Sequence, residues 1–202
     1  MPLEEYRRKR KFSETPEPAG SIPRGKREHI FVVQKHDASR LHYDFRLAIN
    51  DVLVSRAVPK GPSMNPADKR LAVRTEDHPL EYADFEGTIP EGQYGAGTVM
   101  VWDLGTFEPQ EGDPPPDEQL ARGKIDVVLR GHKLRGGFAL LRSGKPPTGS
   151  RQQERWLLIK HRDEHADPSW NIESPRLARS VLTGRTLKEI EQDRPRKLTC
   201  RS

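Results

Sequence analysis

Leu41-His42-Tyr43-Asp44-Phe45-Arg46-Leu47 alternates strictly between apolar and polar residues. A period of two marks a half-buried β-strand, whose successive side chains point to opposite faces. Leu41, Tyr43, Phe45 and Leu47 form a side that can enter a core. His42, Asp44 and Arg46 share the other side, where neighbours on one face stand roughly 6.5 to 7 Å apart. A merely solvated face draws on Lys, Glu, Thr and Ser. An imidazole, a carboxylate and a guanidinium in a row join two metal-ligand types to a planar phosphate fork, and they read as a site.

The flanking segments have strand character too. Residues 29–35 are β-branched, with His36 closing the run, and Asn50-Asp51 separates residues 41–49 from the apolar run 52–58. Two turn-favouring residues between two such runs predict a tight hairpin. Pro59 to Pro62 breaks the pattern, residues 69–75 alternate again, and 76–82 are charged and loop-like. Residues 87–97 are dense in glycine but lead into no Lys-Ser/Thr and no helix signal, so they suit tight turns better than a nucleotide-binding loop. Further strands are predicted over 98–102, 124–130, 137–142 and 155–160. Residues 108–117 form a Pro-rich surface loop, 118–122 a helical turn, 143–153 a Gly/Pro/Ser-rich connection and 186–192 a short helix. Many short strands with no alternating helices indicate an all-β fold, a β-barrel or sandwich. The chain divides into a basic, partly disordered arm (1–28), the β domain (29–162) and a polar tail (163–202).

Over 202 residues the formal charge is +5 and the pI about 9.4. That balance suggests an anionic partner, nucleic acid being the commonest. Cys200 is the only cysteine, which excludes an internal disulfide and a thiolate metal cluster. No apolar run reaches membrane-spanning length, so a soluble, cytoplasmic protein without a membrane partner is expected.

His36, His42 and Asp44, with His78 further on, form a ligand set for a divalent first-row metal. The mixed nitrogen and oxygen donors admit Mn²⁺, Fe²⁺, Co²⁺ or Zn²⁺, and Arg46 is placed to hold phosphoryl oxygens beside the ion. Two other readings stand beside this one. The same residues could be a salt-bridged polar strand face, or the two-His-one-carboxylate triad of an Fe(II) oxygenase, although oxygen chemistry requires neither a basic chain nor an adjoining arginine. His29, His132, His161 and His165 read as surface or hydrogen-bonded side chains, and Arg40, Lys60, Arg70 and Arg74 as solvated charges by default.

His36-x5-His42-Tyr43-Asp44-x-Arg46-Leu47, Glu76-Asp77-His78-Pro79 with Tyr82, and Gly87-x-Ile89-Pro90-x-Gly92-x-Tyr94-Gly95-x-Gly97 together resemble the 3′-phosphoesterase domain of bacterial DNA ligase D. Gly131-x-Lys133-Leu134-x-Gly136-x-Phe138 and Arg155-Trp156-Leu157-Leu158-Ile159-Lys160 extend the likeness over most of residues 6–162. Residues 180–187 resemble the segment that leads toward the ligase module, which implies a stand-alone form or an excised domain, a monomer. The resemblance implies a compact β-barrel over 29–162, with minor flanking helices and flexible termini. It also implies a Mn²⁺-dependent end-healing hydrolase of double-strand break repair by non-homologous end joining, with Co²⁺ or Zn²⁺ as substitutes. Such an enzyme trims a 3′-terminal ribonucleoside to a 3′-phosphate and then leaves a 3′-OH. Its partners would be a DNA or RNA-ended primer–template and a repair ligase and polymerase, with association to the nucleoid during repair. It implies His36, His42 and Asp44 as metal ligands. Arg46, His78 and Tyr82 would contact the scissile phosphate, with His78 as proton donor or transition-state stabiliser. Lys60 and Arg70 would be auxiliary phosphate contacts, Gln34 a supporting residue, and Arg10 and Glu17 contributions of the N-terminal arm. Lys11 departs from the acidic residue implied there, a change expected to bear more on ribonucleoside removal than on the phosphatase step. The alternative is a non-catalytic DNA-end-binding scaffold.

Overall fold

The computed structural model describes residues 3–20, 29–144 and 153–193. The arm residues 21–28, most of the expected connection (145–152) and the last stretch, with Cys200, lie outside that description. Ten strands follow in order: β1 (Ile30–Asp37), β2 (Leu41–Ile49), β3 (Val52–Val58), β4 (Lys69–Arg74), β5 (His78–Pro79), β6 (Gly87–Ile89), β7 (Gly97–Pro109), β8 (Lys124–Gly131), β9 (Arg135–Ser143) and β10 (Arg155–Lys160). Helices α1 (Glu4–Arg8), α2 (Pro116–Arg122) and α3 (Leu187–Glu191) are short. Hydrogen-bonded neighbours run β1-β2-β3-β4-β10-β9-β8-β7, and β7 pairs back onto β1 to close an eight-stranded antiparallel barrel. The all-β barrel read from the sequence is thus the observed architecture.

The β2–β3 hairpin sets the register of the central strands. Asn50 and Asp51 have φ of 52° and 61°, the left-handed pair a two-residue type I′ turn needs to match strand twist. Ile49 therefore faces Val52, Arg46 faces Ser55 and Phe45 faces Arg56. A second fixed point is Gly97. With φ at +138°, it approaches β1 so closely that a Cβ there would stand 2.2 Å from the carbonyl oxygen of Asp37.

Two apolar clusters result. One fills the barrel, around Phe31, Tyr43, Phe45, Trp102, Phe138 and Trp156. The other covers the outer face of β1, β2, β3 and β7, where Val32, Leu53 and Val101 meet Tyr6, Leu80, Tyr82 and Phe85. Both sides of these strands are therefore buried. β2 reads as buried from Tyr43 to Ile49 despite its alternating chemistry.

Several local expectations shift. β1 continues through His36 to Asp37, because the β7 partner extends it. The loop-like stretch 76–82 contains β5 and the start of a 3-10 helix at Leu80–Asp84. β7 runs well past its local apolar signal because β1, β6 and β8 all pair with it. The polar C-terminal stretch, as far as residue 193, packs on the barrel. Leu177 and Ile190 are buried there, and Trp170 and Ile172 lie against the core. Glu86 accepts hydrogen bonds from Ser180, Thr183 and Arg185. A few apolar anchors and one buried acid hold a segment whose mean composition is polar. Among the described residues no helix is long and apolar enough to cross a membrane.

Candidate metal centre

His36 and His42 face each other across the β1–β2 ladder, and Asp44 is the next residue on the same face of β2. Adjacent strands lie about 4.8 Å apart, so the two imidazoles meet, with ring centroids 4.8 Å apart. His36 Nδ1 is 3.8 Å from Asp44 Oδ2, and His42 Nε2 is 3.7 Å from the same oxygen. The remaining ring nitrogens are each taken by a backbone carbonyl: His36 Nε2 donates to Gly95 O at 2.9 Å, and His42 Nδ1 donates to Arg40 O at 2.8 Å. A carbonyl accepts only, so each bond puts a proton on the outer nitrogen. The inner nitrogens face Asp44. Such outer bonds fix the tautomer and orientation of metal-ligating histidines.

The three ligand atoms lie within 4.8 Å of one another. Atoms bound to one ion at about 2.1 Å stand about 3 Å apart when cis, about 3.4 Å in a tetrahedron and about 4.2 Å when opposite, so closure of the three side chains by roughly 1 Å brings them onto one cation. Burial pushes the Asp44 carboxyl up. The Arg46 guanidinium at 3.1 Å, with His36 and His42, outweighs that and holds it well below the usual carboxylate range. The donor set fits a divalent ion: two imidazole nitrogens and one carboxylate.

Arg46 is the hub beside it and is 2% exposed. Its Nε donates to Gln34 Oε1 at 2.8 Å, Nη1 to Ser55 Oγ at 2.7 Å and Nη2 to Asp44 Oδ2 at 3.1 Å. Gln34 is held in turn, its amide donating to the carbonyls of Tyr82 and Phe85. His78 Nδ1 lies 2.9 Å from Glu76 O and 2.9 Å from Arg46 Nη1, while Nε2 lies 3.2 Å from Arg10 Nη2. Nδ1 faces both an acceptor, the Glu76 carbonyl, and a donor, Arg46 Nη1; with Nδ1 donating to Glu76 O, Nε2 accepts from Arg10. Burial, then Arg46 and Arg10, push the His78 pKa well below the usual imidazole range, so the ring is neutral. An arginine carries five N–H donors. Nη1 directs its hydrogens at Ser55 Oγ and His78 Nδ1, and Nη2 gives one to Asp44, so one hydrogen on Nη2 is left.

The N-terminal arm closes this face. Tyr6 is fully buried against His78 and Tyr82. Arg10 lies over the Tyr6 ring and pairs with Glu17 at 2.8 Å and Glu76 at 3.2 Å. Tyr82 Oη donates to Glu17 at 3.1 Å. Burial, with Glu17 adding to it, raises the Tyr82 pKa well above the ordinary phenol value.

Gln34, His36, His42, Asp44, Arg46, His78, Tyr82, Arg10 and Glu17 thus gather in one network. Lys60 and Arg70 stand differently: Lys60 is exposed in the turn after β3, and Arg70 bonds Asp68 at 2.7 Å. Lys11 is exposed, its ammonium 3.8 Å from Glu14. His29 stacks on Phe107 and His161 bonds Asp126. Sequence reasoning missed Ser55, Glu76, Tyr6 and Lys9. Ser55 was within reach, since the two-residue turn places it opposite Arg46. Glu76 and Lys9, which pair at 3.2 Å, carry no local signal.

Comparison with known proteins adds the family. Residues 34–142 match the model of the DNA ligase D 3′-phosphoesterase domain. The multifunctional non-homologous end joining protein LigD of Pseudomonas aeruginosa is 52% identical over 167 residues, covering 82% of this chain and 19% of that protein. The LigD of Mycolicibacterium smegmatis is 43% identical over 169 residues, 80% of this chain and 21% of the relative. In Mycobacterium tuberculosis, the multifunctional non-homologous end joining DNA repair protein LigD is 42% identical over 193 residues, 94% of this chain and 23% of the relative. The chain spans about a fifth of the length of these relatives.

Proposed function

The chain belongs to the DNA ligase D 3′-phosphoesterase domain family, and from that membership we propose a Mn²⁺-dependent hydrolase that heals DNA 3′ ends. It would remove a 3′-terminal ribonucleoside and then the 3′-phosphate, leaving a 3′-OH for non-homologous end joining. The observation that carries this reading is the convergence of two imidazoles, each held by a backbone carbonyl, and an ionised carboxylate beside an arginine with one unspent donor.

A cation held by His36 Nδ1, His42 Nε2 and Asp44 Oδ2 would supply charge neutralisation at the phosphoryl group and an activated water. The residues supply the rest. Arg46, immobilised by Gln34, Ser55 and Asp44, turns its remaining Nη2 hydrogen to a phosphoryl oxygen, a charge-assisted contact already oriented before substrate arrives. The resting His78 is neutral and positions Arg10. A phosphate dianion beside Arg46 and Arg10 offsets both guanidiniums, which raises the His78 pKa and makes it the proton donor to the leaving oxygen. Glu17 and Glu76 keep Arg10 over this face, and the basic surface grips the backbone of the primer–template without reading its sequence.

The test is an end-labelled primer–template ending in a 3′-phosphate or a single 3′-ribonucleotide, incubated across Mn²⁺, Co²⁺ and Zn²⁺. Phosphate release that needs metal and is lost in His42→Ala and Asp44→Ala, both retaining the native circular dichroism, is expected. Tight, salt-dependent duplex binding with no release under any metal would sink the hydrolase and leave the scaffold reading.

A further inference from the structure

The strand that carries Ser55 toward the metal centre carries Arg56 the opposite way, into the barrel. Arg56 faces Phe45 across the β2–β3 ladder and is 0% exposed. Its guanidinium carbon sits 4.2 Å from the centroid of the Trp156 ring. Among the described residues, none of its three guanidinium nitrogens has a hydrogen-bond partner, and the buried Trp156 Nε1 is likewise without an acceptor. The two carboxylates whose charges act on Arg56 are Glu154 and Asp77. Each is engaged elsewhere, Asp77 by Arg74 at 2.6 Å and Glu154 by Arg142 at 3.1 Å. Residues 145–152, which adjoin Arg142 and Glu154 in sequence, contain no Asp or Glu.

A fully desolvated, unpaired cation is costly on the scale of a domain's whole stability. An arginine cannot escape by losing its proton. Burial, then the neighbouring Arg74, bring its pKa down to about 9, which leaves it charged at neutral pH. Stacking on an indole face offsets part of the cost but accepts no N–H. What the group needs is an acceptor with negative charge, and the orphaned Trp156 Nε1 beside it is another donor.

We propose that Arg56 and the Trp156 indole N–H form an internal binding site for a small monovalent inorganic anion of the chloride class. Complete burial excludes a phosphate that is part of a nucleic-acid chain. The position has a mechanical consequence. β3 and β4 pair through only Arg56↔Arg74 and Ala57↔Val73, a short seam in the closed barrel. An anion bound to Arg56 strengthens that seam, directly behind the Ser55 hydroxyl that holds Arg46.

The test has two parts. Crystals of the whole chain grown in sodium bromide are expected to show an anomalous peak within hydrogen-bonding distance of the Arg56 guanidinium. Waters alone at that position overturn the proposal. In solution, the melting temperature at fixed ionic strength is expected to rise by a few degrees for each tenfold replacement of gluconate, too large to enter, by chloride. Arg56→Met is expected to lose that dependence, and retention of it overturns the proposal. If the variant does not fold, the bromide map of the wild-type protein decides.

Discussion

Gln34 offers the sharpest test of how the centre is built. Its side chain is 0% exposed and makes three hydrogen bonds, from Nε2 to the carbonyls of Tyr82 and Phe85 at 3.0 Å each and at Oε1 from Arg46 Nε at 2.8 Å. Gln34→Leu keeps the approximate volume and strips all three. The Tyr82 carbonyl keeps the Phe85 N–H, so one carbonyl and one charged N–H lose the glutamine partner, at about 1–3 kcal/mol each. Some of this is recovered because leucine needs no desolvation of its own, so a net loss of about 2–4 kcal/mol is expected. In a domain of this size, 1 kcal/mol moves the melting temperature by about 2–4 °C, so a fall of at least about 4 °C follows. With a urea m-value near 2 kcal/mol/M, the midpoint drops by about 1–2 M. Gln34→Glu separates the contributions: it retains an acceptor for Arg46 but sets an oxygen against both carbonyls, and is expected to destabilise as well. Assayed well below its melting temperature, Gln34→Leu should also release phosphate about 10–100-fold more slowly, because Arg46 loses the contact that aims it. A loss of stability under 1 kcal/mol in Gln34→Leu would refute the account of this residue as the strut between β1, the 3-10 helix and Arg46.

Asp44→Asn should abolish Mn²⁺ binding measured by calorimetry while leaving the fold melt cooperative, and unchanged affinity would remove Asp44 from the ligand set. Gly97→Ala combines a positive φ with a Cβ 2.2 Å from the Asp37 carbonyl, and a loss of more than about 2 kcal/mol by chemical denaturation is expected. Lys133 predicts a pH effect: burial, only partly offset by Asp103, brings its pKa from 10.5 to about 7. The unfolded chain therefore holds more protons between those values, so this group makes stability rise with pH across that window, by at most about 1.4 kcal/mol per pH unit. Lys133→Met keeps an apolar stem over Trp102 and should flatten that slope in urea titrations from pH 7 to 9.5. An unaltered slope would show the lysine to be charged throughout. Finally, Ser55→Ala removes one restraint on Arg46 Nη1, and a several-fold fall in kcat with a stability loss of about 1–3 kcal/mol is the expected signature, read from assays well below the melting temperature and from chemical denaturation.

Residue chemistry alone determined the central hairpin and the face on which the ligands stand. Alternation along 41–47 separates core from site because strand geometry is local and its period is two. Asn50-Asp51 sets the register because only a few residue types accept two consecutive left-handed conformations, and that register places Ser55 behind Arg46 and Arg56 in the barrel. Only the tertiary structure decided what surrounds this face. The Gly95 and Arg40 carbonyls that hold the two imidazoles are backbone atoms, invisible in side-chain patterns. Glu76, Lys9 and Tyr6 reach the centre through chain closure over tens of residues, which no local periodicity encodes. The same closure explains why the C-terminal stretch, polar by composition, is nevertheless packed. Leu177 and Ile190 find apolar partners, and Ser180, Thr183 and Arg185 find Glu86, only once the barrel has brought distant strands together.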